Sequence, residues 1–336
     1  MASLRELAAA SGISIRTITR VLKNKGYVHA RTRAKVEATV RKLGYRPNLA
    51  ARALKTARSH IVAVLTFTED ELRMAQVAAL QERLGEADYL VSMHFQLELR
   101  QPGKTLGMLS EILDHEPAGL VVLGHNPLVG EKLLPVVAPG LERAGVPYVL
   151  LDPKGFNAPA QRYDSVLIDR GHGIREAVAY LARQGRQRIA FLGTHEERTR
   201  LDAYESAMAE LGRKPVLLEY PGDDSAALRK AAKQLARRRD TKPDAVLAHS
   251  DYVAMAFLAG LHDAGTRVPE EVALVGFDDR PAARLTWPAL TTIAQPLEEA
   301  GHAAAEILLG KLAGERKPAG GWTRTFPTRL VVRETA

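Results

Sequence analysis

Apolar residues in the first 45 positions recur at helical spacing, and from Ile61 onward they collect into short runs. This predicts a small helical unit followed by a larger α/β body. Leu4, Leu7 and Ala8 fall at i, i+3 and i+4 behind Ser3 and Glu6, a capping-box pair that satisfies the first backbone N–H groups of a helix. Gly12 ends this helix, and Ser14 caps a second one with Ile18, Val21 and Leu22 inward. Two short helices joined by a tight glycine turn form a helix-turn-helix. A third helix is expected over 32–43, with Val36, Val40 and Leu43 inward. Gly44 stops it and Pro47 bars its return.

In the body, the apolar runs 61–67, 89–95, 119–124, 148–152, 165–169, 188–193, 215–220, 245–250, 273–278 and 290–295 read as strands, with amphipathic helices between most of them. That alternation predicts parallel sheets covered by helices on both faces. Ten strands divide into two doubly wound subdomains with a cleft at the carboxyl ends of their strands. The domain reading is 1–46 helix-turn-helix, 47–58 linker and 60–336 body. No short repeat or low-complexity tract interrupts it, and the basic run Lys230–Arg239 alternates with Ala and Leu as a solvated helix face does.

Charge changes the picture once it is located. Residues 1–59 hold 14 Lys/Arg and 2 Asp/Glu, a net of +12, whereas the rest of the chain is −4. A basic helical head on a mildly acidic body is the footprint of a polyanion binder. On the second helix Ser14, Ile15, Arg16, Thr17, Thr19 and Arg20 face outward, with Asn24 just beyond. An exposed Ile at a helix start suits a thymine methyl in the major groove. Arg16 and Arg20 suit either bidentate contact with guanine or contact with phosphate.

Other classes find little support. No stretch approaches the roughly 18 consecutive apolar residues of a membrane span. The opening MASLRELAAASG has an acid where a signal peptide needs an apolar core, so a cytoplasmic protein is expected. The absence of Cys excludes disulfides, iron–sulfur clusters and cysteine-based zinc sites. Gly171-His172-Gly173 after a strand suggests a dinucleotide turn, but Glu176 stands where a small residue is needed, so a plain strand–helix turn is the reading. With no HExxH, GxSxG or Walker loop, no enzyme, metal site or cofactor is expected.

Residues 3–65 resemble the head of the LacI/GalR repressor family throughout. The matching landmarks are the helix-turn-helix, Val28, Thr32-Arg33, Val36, the Gly44-Tyr45-Arg46-Pro47-Asn48 run and the Ala51-Arg52-Ala53-Leu54 run. The body is similar to the periplasmic-binding-protein-like core of the same family in Gly119–Val122, Val146–Val149, Gly185–Gly193, Pro269–Asp279, Leu290–Pro296 and Phe326–Thr335. The resemblance implies a transcriptional repressor that binds a pseudo-palindromic double-stranded operator as a homodimer. A small-molecule effector, a sugar or related metabolite, would control its operator affinity from between the subdomains. It gives Ile15 and Arg16 the family's specificity positions and Arg20 its common base contact. It reads 47–58 as a hinge helix, in which Arg52, Ala53 and Leu54 meet the minor groove and Leu54 wedges between base steps; a plain linker is the alternative. The chain ends soon after the family's last strand with no leucine heptads, which favours a dimer over a tetramer.

In that fold the chain crosses between subdomains three times. The crossings are expected near 160, 290 and 321, giving one subdomain of 60–160 with 291–320 and another of 161–290 with 322–336. The resemblance places Arg200 and Asp278 at effector positions, where Arg offers planar bidentate contacts and Asp accepts from hydroxyls. Asp152, Ser250, Leu72, Arg73 and Gln295 are further candidates, and Asp169 ends a strand in the same way as Asp152. Leu72-Arg73 replaces the family's frequent aromatic pair, which would stack on a sugar face, and this departure counts against a simple neutral sugar; Ser250-Asp251 replaces its Asn-Asp pair. Arg73 suits an anionic ligand or else faces solvent.

Overall fold

The computed structural model describes residues 2–22, 26–45, 59–67, 70–95, 102–124, 134–153, 163–195, 198–220, 224–238, 242–316 and 321–336. They belong to two compact units, Met1–His60 and Ile61–Ala336. Asn24 and the hinge segment 47–58, with Arg52, Ala53 and Leu54, lie outside the described residues.

In the head, α1 (Leu4–Ser11), α2 (Ile15–Leu22) and α3 (Ala30–Leu43) follow the expected order. Ser3 Oγ accepts from the Glu6 N–H and the Glu6 carboxylate accepts from the Ser3 N–H, completing the capping box. Gly12 closes α1 at φ 64, a conformation in which a Cβ is disfavoured. Leu7, Ile18, Val21 and Val36 form the core, and Leu4, Val28, Val40 and Tyr45 pack around it. The third helix starts at Ala30 rather than Thr32, because the His29 ring accepts the Arg31 N–H. Histidine is not among the side chains that ordinarily cap a helix, so the pattern did not show this start.

Among the described residues of the body, a six-stranded parallel sheet has the order β11-β5-β4-β3-β1-β2. Its strands are β1 (Ile61–Thr66), β2 (Leu90–Phe95), β3 (Gly119–Leu123), β4 (Tyr148–Leu151), β5 (Ser165–Asp169) and β11 (Arg324–Pro327). A four-stranded parallel sheet of β6 (Ile189–Gly193), β7 (Leu217–Glu219), β8 (Ala245–Ala248) and β9 (Ala273–Val275) has the order β7-β6-β8-β9. The antiparallel pair β10 (Thr292–Ala294) and β12 (Arg329–Val331) continues beside β9 through bridges at Val275–Thr291 and Asp278–Ala294.

Alternate residues of each strand feed opposite faces, as a parallel sheet requires. Val62 and Val64 pack beneath α4 (Glu71–Gly85) and α11 (Leu297–Leu312), while Ala63 and Leu65 meet α5 (Pro102–Asp114) and α6 (Leu134–Ala144). Helices α4 and α11 cross at Gly301, where a Cβ would lie 2.4 Å from the Gln76 carbonyl oxygen. In the second sheet Ile189 and Phe191 lie against α7 (Arg170–Arg183) and α8 (Arg198–Glu210). Val246 and Ala248 lie against α9 (Ser225–Ala236) and α10 (Asp251–Asp263).

The sheets correct the expected crossings. β5 and β11 hydrogen-bond in the first sheet, so the chain leaves that subdomain at Asp169–Arg170 and not near 160. It returns at Gln295–Pro296, between β10 and α11, rather than near 290. The last crossing falls at Thr328, between β11 and β12, rather than near 321. The apolar pattern marked strands without showing which neighbour each would pair with, and it passed over β11 and β12 as strands.

Candidate functional site

In the body, two aspartates stand just beyond the carboxyl ends of strands, Asp152 after β4 and Asp278 after β9. They adopt φ 52 and φ 118 respectively. Backbone strain of this kind in non-glycine residues gathers at ligand sites.

Asp152 is enclosed by two arginines. Arg170 grips it with Nη1 to Oδ1 at 2.8 Å and Nη2 to Oδ2 at 2.6 Å. Arg73 Nη1 donates to Asp152 Oδ2 and, at 2.7 Å, to Gln76 Oε1. Burial alone would raise the Asp152 carboxyl, but Arg170 and then Arg73 overcome it and hold the carboxyl below its usual range. Arg73 is 2% exposed, so it neither faces solvent nor offers an uncompensated charge to an anionic ligand.

Around Asp278, Gln295 Nε2 donates to Oδ1 at 2.7 Å, Arg280 Nε lies 3.4 Å from Oδ2 and Arg200 Nη2 lies 4.0 Å from Oδ1. The Arg200 guanidinium stacks on Phe277 at 4.3 Å. Burial pushes the Asp278 carboxyl up, opposed by Arg200, Arg280 and Arg73. That opposition from Arg73, which itself binds Asp152, sets the two carboxylate clusters within electrostatic reach of each other.

Two buried amide atoms belong to these clusters. Gln76 Nε2 and Gln295 Oε1 have no hydrogen-bond partner among the described residues. Their other amide atoms are committed to Arg73 and Asp278, so the Gln76 amide N–H donors and the Gln295 carbonyl oxygen remain.

The structure thus brings together Arg73, Asp152, Arg200, Asp278 and Gln295. Ser250 instead caps α10 through the Val253 N–H, and Asp169 caps α7 through the His172 N–H. Leu72 is buried in the first turn of α4. Gly173 serves packing, since a Cβ there would lie 2.4 Å from Ile293 Cγ2, which agrees with a plain strand–helix turn. Sequence reading passed over Arg170, Gln76 and Arg280, although each stands close to a residue it singled out: Asp169, Arg73 and Asp278.

In the head, Ile15 is 42% exposed, and Ser14, Arg16 and Arg20 are exposed beside it. The Thr17 hydroxyl pairs with Ser14 Oγ at 3.0 Å and the Thr19 hydroxyl donates to the Ile15 carbonyl at 2.7 Å. Ile15, Arg16 and Arg20 lie outside the core of the head, whose buried residues from this helix are Ile18 and Val21.

Residues 3–48 match the model described as bacterial regulatory proteins, lacI family, and residues 178–336 match the periplasmic binding protein-like domain. The regulator CelR of Thermobifida fusca is 31% identical over 98% of this chain and 95% of that protein. The chain belongs to the lacI family. It is a DNA-binding transcriptional regulator, as the basic helix-turn-helix head indicates. The ribose operon repressor of Bacillus subtilis (strain 168) is 28% identical over 100% of this chain and 98% of that protein. A CelR–cellobiose complex superposes with a TM-score of 0.68 at 26% identity, covering 100% of each chain. A lac repressor dimer bound to operator shares the fold, with a TM-score of 0.73 at 24% identity over 99% of this chain and 98% of that one. Among the described residues, no helix is long and apolar enough to cross a membrane and no side-chain cluster suits a metal ion.

Proposed function

We propose that the chain is a repressor whose operator affinity is set by a neutral, polyhydroxylated metabolite bound between Asp152 and Asp278. The balance of charge carries this reading. The guanidinium groups of Arg73, Arg170, Arg200 and Arg280 are matched by Asp152, Asp278, Asp70 and Glu71. A ligand that added a charge would disturb that balance inside a buried site. Sugar hydroxyls both donate and accept, so they fit the Gln76 donor and the Gln295 acceptor together. The cellobiose complex and the ribose operon repressor among the relatives point the same way.

The protein acts at the bacterial chromosome, and hence in the cytoplasm, as a regulator rather than an enzyme. Two copies would present two heads to a pseudo-palindromic operator. Leu285 and Trp287, 85% and 81% exposed on a loop anchored through Ala283, are the apolar side chains we assign to contact with the second copy.

A thermal-shift screen of the full-length protein against neutral mono- and disaccharides, with the matching uronic acids and sugar phosphates, tests the ligand class. A neutral compound should raise the melting temperature as concentration exceeds Kd, and Arg200→Ala should abolish the shift. Stabilisation by the anionic compounds alone would overturn the reading.

A further inference from the structure

We infer that Arg280 is a latch across the mouth of the cleft, holding the start of α4 in one subdomain to the Asp278 loop of the other. Each of its three guanidinium nitrogens faces a carboxylate. Nε faces Asp278 Oδ2 at 3.4 Å, Nη1 donates to Glu71 Oε1 at 2.8 Å and Nη2 donates to Asp70 Oδ2 at 2.7 Å. Asp278 belongs to the second-sheet subdomain, and Asp70 and Glu71 to the first. The planar face of the same group stacks on Tyr252 at 4.3 Å, and the Tyr252 hydroxyl donates to Glu71 Oε1 at 3.4 Å. A rigid fork with donors at fixed angles suits this bridging better than a lysine ammonium would.

Both sides of the latch are held in place. Asp70 Oδ1 caps α4 through the Leu72 N–H at 2.8 Å, which leaves Oδ2 directed at Arg280. On the other side, Asp251 Oδ2 accepts the Arg280 backbone N–H at 2.7 Å while Asp251 Oδ1 accepts from Thr292 on β10 at 2.5 Å. Fixed partners reduce the side-chain entropy lost in forming the pairs, so the latch exceeds an ordinary surface ion pair. Arg280 is buried, whereas Glu71 is exposed, so ions reach the latch from the acidic side and screen it. Because Arg280 also touches Asp278, closure and occupation of the site share one side chain. That functional meaning rests on Asp278 as an effector contact, while the latch itself does not.

The test needs no effector. The chain contains no cysteine, so Gln76→Cys places a single thiol at a cleft position that is 0% exposed. The rate of its reaction with a small disulfide reagent reports opening in the full-length protein. Adding Asp70→Asn with Glu71→Gln should speed labelling roughly tenfold, the change that two partly exposed ion pairs together account for. Arg280→Gln should do the same, and about 1 M NaCl should speed labelling in the latched protein but not in the variants. Leu72→Cys, buried in the first turn of α4, serves as a second reporter should Gln76→Cys not fold. Equal rates in latched and unlatched proteins would overturn the latch. So would acceleration by Arg280→Gln alone, since Arg280 would then act only within its own subdomain. Failure of the sugar screen would leave either result standing.

Discussion

Arg170 holds Asp152 in a two-pronged grip, Nη1 to Oδ1 at 2.8 Å and Nη2 to Oδ2 at 2.6 Å, with both side chains buried. Arg73 shares the same carboxylate. Truncating Asp152 would leave two guanidinium groups buried beside each other, which is worse than losing one attraction. Asp152→Ala should therefore destabilise the body by about 3–5 kcal/mol in urea unfolding. A loss below about 1 kcal/mol would show that water or nearby carboxylates compensate the two cations. Since the folded state lowers the Asp152 carboxyl, its contribution is present above the ordinary carboxylate range and is lost as pH falls through the folded value.

Asp251 should give the opposite pH dependence. Burial, then the nearby Asp278 and Asp279 carboxylates, push it up to about 7, against the hydrogen bonds from Thr292 and the Arg280 backbone. The folded protein binds this proton more tightly than the unfolded chain does. Its contribution to stability is therefore full below the ordinary value of 3.8 and declines as pH rises to about 7. Asp251→Asn should flatten that decline in chemical denaturation between pH 4 and 7. An unchanged slope in the variant would assign the decline to other groups.

The head was legible because its evidence is local. Ser3, Glu6 and Gly12 define a helix within a few residues of one another, and the structure keeps each in that role. The strands of the body were legible for the same reason, as apolar runs. Their pairing was not, because β5 meets β11 across more than 150 residues and no local signal records it. The cleft was half legible. Asp152 could be found at a strand end, Arg200 and Asp278 by family position, and Gln295 at a crossing between subdomains. Arg170 and Arg280 reach their partners only through the fold, and Arg280 meets Glu71 from 209 positions away. Arg73 was ambiguous between an anion site and solvent because its neutralising partner, Asp152, stands 79 positions away and no local signal joins them.

Operator reading by α2 separates into two measurements. Arg16→Ala should relax preference at one position per half-site and cost roughly 1–3 kcal/mol there. Uniform weakening over all sequences, seen in selection from a random pool, would assign Arg16 to phosphate. With a head of net charge +12, log Kd for operator should vary linearly with log salt, by about 0.9 per phosphate contacted. A flat salt dependence would mean that the basic excess does not meet the backbone.

Self-association through Leu285 and Trp287 predicts that Trp287→Ser weakens dimerisation by more than tenfold in analytical ultracentrifugation, since large aromatics dominate such contacts. Operator binding should weaken with it while the melting temperature changes little. A variant as dimeric as the parent would place the interface elsewhere.

Fluorescence anisotropy of a selected operator, titrated with the stabilising neutral sugar, tests the link between cleft and head most directly. Operator affinity of the wild-type protein should shift at least fivefold on sugar binding, the lower range of an allosteric coupling. Arg200→Ala should hold its sugar-free operator affinity and lose the shift. Unchanged operator affinity in wild-type protein saturated with the sugar, or a full shift retained in Arg200→Ala, would contradict control of the head by a ligand at Asp278 and Arg200.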